Sequence, residues 1–596
     1  MNTDIVRKLE RLLSKREQRH AFLLLAMMVV GAVLEMVGVG AIPAFVALLS
    51  DPSRITRYAL PREMMSALGA DTNTKLALTA AVILLLYFFV KNLFIGSLSF
   101  LQARYVSNRQ VRLASQLFNA YMHSEYTMHL QRNSAELLRN ATNEAMEVVG
   151  SVLMPCLSLA MEFLTVGAIV TLLFIAEPFI SLVAFVLLGG ATALFIRVVR
   201  SRLIRYGHET QLYRMKMLQT VSEGLGSLKI TRVLGREPHF LQAFRLDSDR
   251  FAQANRFRVL MSDLPRLYLE MAAMLGLLAV AAILLAEHRP LGAIIPALSL
   301  LAVAVVRLIP SFNRISAAFT QLRYGRFSLE AVYADLVNSN TNADVRHRDT
   351  TTIPFVEAIR LRDVSFTYPN AAAPAVRNVN LDIRRGNAVG IVGATGSGKT
   401  TLVDIVLGLL RPSSGKVLID DRDVTQDVRA WQKHIGYVPQ DIYLMDESIR
   451  NNVAFGIAAD EIDDAAVQRA IDAAQLTTFI HSLPDGVNTV VGERGVRLSG
   501  GQRQRIGIAR ALYHDPDVLV FDEATSSLDN ETERFVMQAV DHLRGARTII
   551  LIAHRMSTVR ACDELFLLNE GRLVASGSFE SLLKSSGRFQ SLVGVE

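Results

Sequence analysis

Residues 390–403 read GIVGATGSGKTTLV, and the apolar run Ala388–Val392 leads directly into them. A strand that ends in Gly393-x4-Gly398-Lys399-Thr400 and is followed by an apolar helix has the spacing and the context of a phosphate-binding loop. Small residues let the amides of Gly393, Ala394, Thr395, Gly396, Ser397 and Gly398 curve round phosphate oxygens at a helix N-terminus. Lys399 is then placed to reach the β- and γ-phosphates, and the Thr400 hydroxyl to ligate Mg2+, with Thr401 next in the same turn. The loop predicts an α/β nucleotide-binding fold for the part of the chain around it.

Two later stretches have the same character. DVLVFDEATSSLD (517–529) is a buried-strand pattern that ends in Asp522 and Glu523. A carboxylate at a strand end can hold Mg2+ through water, and a second beside it can orient an attacking water; taken alone, the run also reads as a capped strand end. RLSGGQRQRIGIARAL (497–512) opens a basic helix with a Ser-Gly-Gly turn, a start whose amides and dipole suit a second phosphate group.

Outward from these motifs the composition divides the chain. Of 596 residues 51% are hydrophobic, concentrated before about residue 320, which predicts a membrane half and an aqueous half rather than one core. Cys156 and Cys562, the two cysteines, support neither a disulfide framework nor a cysteine metal site. The formal charge of +7 is carried largely beside apolar segments, where positive-inside topology explains it, and no nucleic-acid motif accompanies it. Residues 1–20 place Ile5, Leu9, Leu12 and Leu13 on one stripe among basic residues, an amphipathic helix for the inner membrane surface.

Six spans are predicted within residues 21–336, near 21–49, 76–102, 148–176, 179–199, 267–286 and 291–309. Glu177-Pro178 joins the third to the fourth, and residues 287–290 make a tight turn between the last two. The outer connection 50–75 includes PREMMSALG, which reads as a short external helix. The connections 103–147 and 200–266 are long, basic and helical, so they are expected in the cytoplasm as hairpin levers, with tips at 124–136 and at 233–244, where Gly235 and Pro238 interrupt the helix. A polar linker, 337–353, precedes the nucleotide half, 354–596.

Together the phosphate loop, the signature-like turn and VFDEATSSLD resemble the ABC ATPases over roughly residues 355–590. The resemblance implies that Tyr368 stacks on adenine and that Gln440 links Mg2+ to the membrane domain. It makes Leu498, Ser499, Gly500, Gly501 and Gln502 the signature. Asp522 becomes a water-mediated Mg2+ ligand, Glu523 the catalytic carboxylate, Ser526–Asp529 a loop crossing a dimer interface and His554 a γ-phosphate contact. VVGERG (490–495) is similar to the segment that touches a partner's levers in exporters.

The order of the halves is similar to ABC exporters: an all-α six-helix transmembrane domain fused to a C-terminal α/β P-loop nucleotide-binding domain. One set of motifs implies a half-transporter working as a homodimer on ATP and Mg2+, multi-pass in a bacterial inner membrane. YFFVKN (87–92), LPRLYLE (264–270) and VRLIPSFNRI (306–315) are most similar to flippases for lipid-linked oligosaccharides of the PglK type. That narrower resemblance implies an anionic polyprenyl-pyrophosphate cargo moved from the inner to the outer leaflet. Export of lipid A, peptide or drug-like amphiphiles is an alternative, and a nucleotide-gated channel or regulator is another.

The last span has two arginines seven residues apart, Arg307 and Arg314, on one face with Pro310 between them. At about 1.5 Å per residue, Lys91, Arg266 and Arg307 all fall about 23–24 Å from the outer boundary, and Arg314 about 10 Å deeper. In two copies these cations would form a basic girdle for a lipid phosphate. Lys and Arg at inner helix ends also snorkel and set topology, and both roles are open for this group. Glu35 and Glu162, within spans, are expected to hydrogen-bond between helices.

Overall fold

The computed structural model describes residues 3–50, 73–176, 212–286, 291–340, 354–492, 495–522, 543–553 and 555–594, together with scattered positions between 178 and 210 and residue 538. The chain forms two units: residues 1–123 with 134–341, and residues 124–133 with 342–596.

The first unit is helical. Helix α1 (Thr3–Leu12) buries Ile5 and Leu9, and its Arg11 donates to the Tyr333 hydroxyl at 2.8 Å. Ser14 then donates through both its amide and its hydroxyl to Glu17 Oε2, each at 2.8 Å, which caps α2 (Lys15–Ser50). The buried Glu17 carboxylate also receives Arg109 at 3.1 Å from α3 (Asn73–Met122), so the entry to the bundle is tied ionically.

Helices α3, α6 (Glu237–Ala286) and α7 (Leu291–Asn340) each have 50 residues. At 1.5 Å per residue such a helix is about 75 Å long, more than twice a hydrocarbon core, so each runs well beyond a bilayer. Four described helical stretches are apolar and long enough to cross a membrane: Lys15–Leu49, Ala77–Met122, Ser134–Ala176 and Ile294–Val337; Glu270–Ala286 in α6 is a shorter apolar segment. They correspond to the first, second, third, sixth and fifth expected spans. The fourth span (179–199), the 287–290 turn, the external helix and most of the linker lie outside the described residues.

Inside the bundle, Val39 of α2, Ile169 and Leu173 of α5 (Met154–Ala176), Ala273 of α6 and Leu300, Ala304 and Leu308 of α7 share one apolar cluster. The opposite faces of α3 leave Leu78, Val82, Leu85, Phe89 and Leu93 exposed, as a lipid-facing surface requires. Two π-turns, Asn140–Glu144 and Val149–Leu153, precede α5. There Gly325 of α7 admits a close crossing: a β-carbon at this position would lie 2.7 Å from Val152 Cγ2. At the expected second tip Gly235 takes φ +62°, and α6 begins two residues later with Pro238 in its first turn, where a missing N–H costs nothing.

The second unit has two sheets. An antiparallel sheet runs β2-β1-β4-β5, with β1 Ala358–Phe366, β2 Val376–Arg384, β4 Ser414–Ile419 and β5 Arg422–Asp423. The other runs β10-β9-β3-β8-β7-β6, comprising β3 (Ala388–Val392), β6 (Ile435–Val438), β7 (Val518–Asp522), β8 (Thr548–Ile552), β9 (Glu564–Asn569) and β10 (Arg572–Gly577). It is parallel except for the edge strand β10. Strands β3, β7 and β8 are buried at every position, which explains their unbroken apolar sequence. Trp431 is fully buried in an apolar cluster with strand residues such as Ile359 and Val417 and with Val406 of the 399–406 helix, and donates to the Val406 carbonyl at 2.7 Å.

Candidate functional site

Between β3 and α8 (Lys399–Val406) the loop takes backbone angles that side chains resist: φ is +153° at Gly393, +79° at Gly396 and +97° at Gly398. A β-carbon at Gly393 would sit 2.3 Å from the Leu568 carbonyl oxygen, and one at Gly398 2.5 Å from that of Ala375. Ala394, Thr395 and Gly396 form an exposed rim, while Ser397, Lys399 and Thr401 are buried beneath it and Thr400 is exposed. Ser397 Oγ is buried with no hydrogen-bond partner among the described residues, so the cradle contains a polar atom that phosphate oxygens would satisfy. Lys399 Nζ donates to the Gly393 and Ala394 carbonyls at 2.9 and 3.2 Å, which holds the ammonium under the loop.

Parallel pairing sets the rest of the site. β3 pairs with β8 and β8 with β7, so Asp522, at the C-terminal end of β7, emerges on the same side as the loop after β3. Its carboxylate accepts from the Tyr437 hydroxyl at 3.3 Å. Asp404, on α8, is buried nearby. Burial and then the Asp522 charge push its carboxyl up to about 6. The same combination raises Tyr437 above the usual phenol range. A divalent cation would offset the Asp522 charge that disfavours ionisation of Asp404, so Thr400 and Asp522 fit Mg2+. Asp404 is a lone acid within the apolar run Leu402–Val406 of α8, its only signal in the sequence.

Tyr368 lies beside the loop, its hydroxyl 3.0 Å from Thr401 Oγ1 and its ring edge-on to Phe366. Gln440 is exposed in the bend after β6. Residues 124–133 belong to this unit, and their helix α4 (Tyr126–Gln131) places Tyr126 within the electrostatic reach of Asp404, Tyr368 and Asp522. Nothing in the isolated sequence of that tip pointed to the nucleotide loop. Helix α9 (Gly500–Leu512) starts with a complete capping box: Ser499 Oγ accepts from the Gln502 amide at 3.2 Å, and Gln502 Oε1 accepts from the Ser499 amide at 2.8 Å. Ser499 and Gly500 are exposed, Gly501 is buried, and Leu498 and Gln502 are half-buried, so the helix start is open to a ligand. Glu523, Ser526–Asp529, His554, and Glu493 and Arg494 of the 490–495 segment lie outside the described residues, as does the side chain of Arg266.

In the helical unit the expected cations are not bare. Lys91 is buried, 3.2 Å from Glu35 Oε2, and its stem lies against Gly38, where a β-carbon would be 3.6 Å from Nζ. The same carboxylate oxygen is 3.6 Å from Nε of Arg307, whose side chain is 44% exposed. One turn pair further on, Arg314 donates to Glu162 Oε1. Glu35 and Glu162 thus hydrogen-bond between helices as expected, and their donors are cations, so each bond is also an ion pair.

Residues 22–307 match the ABC transporter transmembrane region, and residues 376–526 match the ABC transporter family. The chain is 30% identical over 503 residues to an ATP-dependent lipid A-core flippase of Cupriavidus pinatubonensis, covering 82% of this chain and 83% of that protein. A protein of the same description from Cupriavidus metallidurans is 31% identical over 498 residues, 82% of each chain. A solved bacterial Atm1-family ABC exporter with ATP bound superposes with a TM-score of 0.77 at 22% identity, covering 98% of this chain and 99% of that one. These likenesses do not single out the PglK type.

Proposed function

The chain belongs to the ABC transporter family, and from that premise we propose that it is a homodimeric inner-membrane flippase for a lipid with a phosphorylated, sugar-bearing head. As a multi-pass membrane ATPase it couples ATP hydrolysis, with Mg2+, to transport. The observation that carries the finer reading is the α7 stripe: Arg307 and Arg314 are both partly exposed in the single chain, and residue counting puts Arg307 near the inner-leaflet headgroups with Arg314 about 10 Å deeper. Guanidinium groups there match phosphate oxygens in a bidentate fork, whereas an apolar drug would leave them unmatched. Lys91 and Arg266 belong to the same level.

The lipid A-core class is favoured over a polyprenyl-pyrophosphate oligosaccharide, because the relatives that share 82% of the chain are described by that cargo. The basic stripe suits either head. In each nucleotide site Gly393–Thr401 cradle the phosphates, Tyr368 stacks on adenine, and Asp522, Thr400 and Gln440 serve Mg2+. Glu523 and His554 act at the γ-phosphate, which Leu498–Gln502 of the second copy complete. When bound there, Mg2+ would supply charge neutralisation for phosphoryl transfer. Closing the two sites draws the hairpin tips together and turns the chamber outward, and hydrolysis resets it. Tyr126 puts one tip beside Asp404 and Asp522, where a change of charge reaches it directly.

The test is purified protein in proteoliposomes with labelled lipid A, a polyprenyl-pyrophosphate glycan or phosphatidylcholine, scored for ATPase stimulation and leaflet exchange. Stimulation and flipping by lipid A that Glu523→Gln abolishes are expected. Equal rates with phosphatidylcholine alone, or transport that survives Glu523→Gln, overturn the reading.

A further inference from the structure

The two arginines of α7 are neutralised differently. Glu35 on α2 is shared between two cations, Lys91 of α3 at 3.2 Å and Arg307 of α7 at 3.6 Å. Two positive charges against one negative leave this trio with one net positive charge. Arg314 meets Glu162 of α5 one to one, which leaves none. Glu162 Oε2 is buried without a hydrogen-bond partner among the described residues, so removing Arg314 would strand a carboxylate in the bundle. Removing Arg307 strands nothing, because Lys91 still neutralises Glu35. The more solvent-shielded cation, fully buried Lys91, is also the closer one.

We propose that Glu35 is a positioning residue for headgroup capture: it holds Arg307 as a resident counter-anion until a lipid phosphate displaces it, and Lys91 makes that exchange possible by retaining the carboxylate. The inference rests on the reading that the α7 stripe receives an anionic head, and it assigns the capture to Arg307 while Arg314 with Glu162 fixes α7 to α5. A phosphate has the advantage over Glu35 in formal charge and in the number of acceptor oxygens, and it can take the guanidinium edge-on with two bonds. The Nε contact to Glu35 is long for a hydrogen bond, as an exchangeable partner's would be. Displacement removes the ionic tie between α7 and α2 while their apolar packing stays, so headgroup entry is felt by the helix that continues beyond the membrane.

Competition of this kind sets the apparent affinity for lipid by the fraction of Arg307 left free. Two substitutions therefore act in opposite directions. Glu35→Gln removes the competitor and lowers the lipid concentration for half-maximal ATPase stimulation, by about three- to tenfold if Arg307 is mostly engaged. Lys91→Met leaves Glu35 to Arg307 alone and raises that concentration by about tenfold, and adding Glu35→Gln to Lys91→Met brings it back down. The assay is ATPase stimulation of the full-length protein in phosphatidylcholine nanodiscs titrated with lipid A.

A merely structural role for the trio would lower the maximal rate in both single variants and shift half-saturation the same way in each, which overturns the proposal. So does an unshifted half-saturation in Glu35→Gln where wild type responds and Arg307→Gln has lost the response. If instead wild type is not stimulated by lipid A, or Arg307→Gln responds like wild type, the headgroup reading itself fails.

Discussion

Asp404→Asn should stabilise the nucleotide unit, although it replaces a buried residue of the nucleotide site. The side chain sits on α8, a helix whose residues Leu402, Val403, Ile405 and Val406 are buried with it, within electrostatic reach of Asp522 and Tyr437. Burial, and secondarily the Asp522 charge, raise its carboxyl from the unfolded value of 3.8 to about 6. A carboxylic acid raised on folding is penalised in its charged form. The penalty is absent below about pH 3.8, grows through the interval up to 6, and is complete above it. About two pKa units correspond to roughly 3 kcal/mol as an upper limit at pH 7.5, about half of that at pH 5, and residual solvent access reduces both. Asparagine is nearly isosteric and carries no charge, so it removes the penalty. Trp431, the only tryptophan of the chain, is fully buried and bonded to the carbonyl of Val406 on the same helix, so its emission reports this unit alone. Urea unfolding in EDTA at pH 7.5 should show the Asp404→Asn midpoint about 0.5–1 M higher than wild type, with a smaller gap at pH 5. Added Mg2+ should shrink the gap, since it offsets the Asp522 charge. A variant no more stable than wild type at pH 7.5, or a gap that does not narrow toward pH 5, refutes the reasoning.

Lys399→Ala and Glu523→Gln should each lower ATPase turnover by at least about 100-fold, measured by phosphate release, because each removes charge or water positioning at the transferred phosphate. Gly325→Val should lower the thermal midpoint of the detergent-solubilised protein, since even its β-carbon would lie 2.7 Å from Val152 Cγ2 and 2.9 Å from Ser151 Cβ; Gly150→Ala, with nothing within 4 Å, should leave it unchanged. Ser499→Ala should cost about 1 kcal/mol of local stability at the start of α9, seen as faster amide exchange over residues 500–503, and Ser499→Asp should restore protection.

The nucleotide unit was the more legible half because its chemistry is local. The phosphate loop needs glycines at spacings that one strand-to-helix turn imposes, and the conformations at Gly393 and Gly398 follow from those residues. A strand buried on both faces writes itself as an unbroken apolar run, so β7 and the carboxylate at its end could be read directly. Asp404 and Tyr437 escaped notice because their role comes from strand order and helix packing: β6 lies beside β7 in space but eighty residues earlier in sequence. Tyr126 escaped for the same reason, since its partners Asp404, Tyr368 and Asp522 lie more than two hundred residues later in the unit to which residues 124–133 belong.

In the membrane unit, hydropathy and length sufficed for the spans, but periodicity says only which residues share a face, not what that face meets. Arg307 and Arg314 share a stripe by their seven-residue spacing, and that much is geometry of one helix. Their difference comes from two other helices, since Glu35 arrives on α2 already paired with Lys91 while Glu162 arrives on α5 alone. A count of intramembrane cations therefore overstates the field: among the described residues the ion pairs leave one uncompensated charge on Lys91, Arg307 and Glu35 together, and none at Arg314. In low dielectric that uncompensated charge, rather than the number of arginines, determines where an anion gains most. Under the exchange proposed above, the incoming phosphate meets that one uncompensated charge while Lys91 keeps Glu35 paired, so no carboxylate is stranded in the bundle.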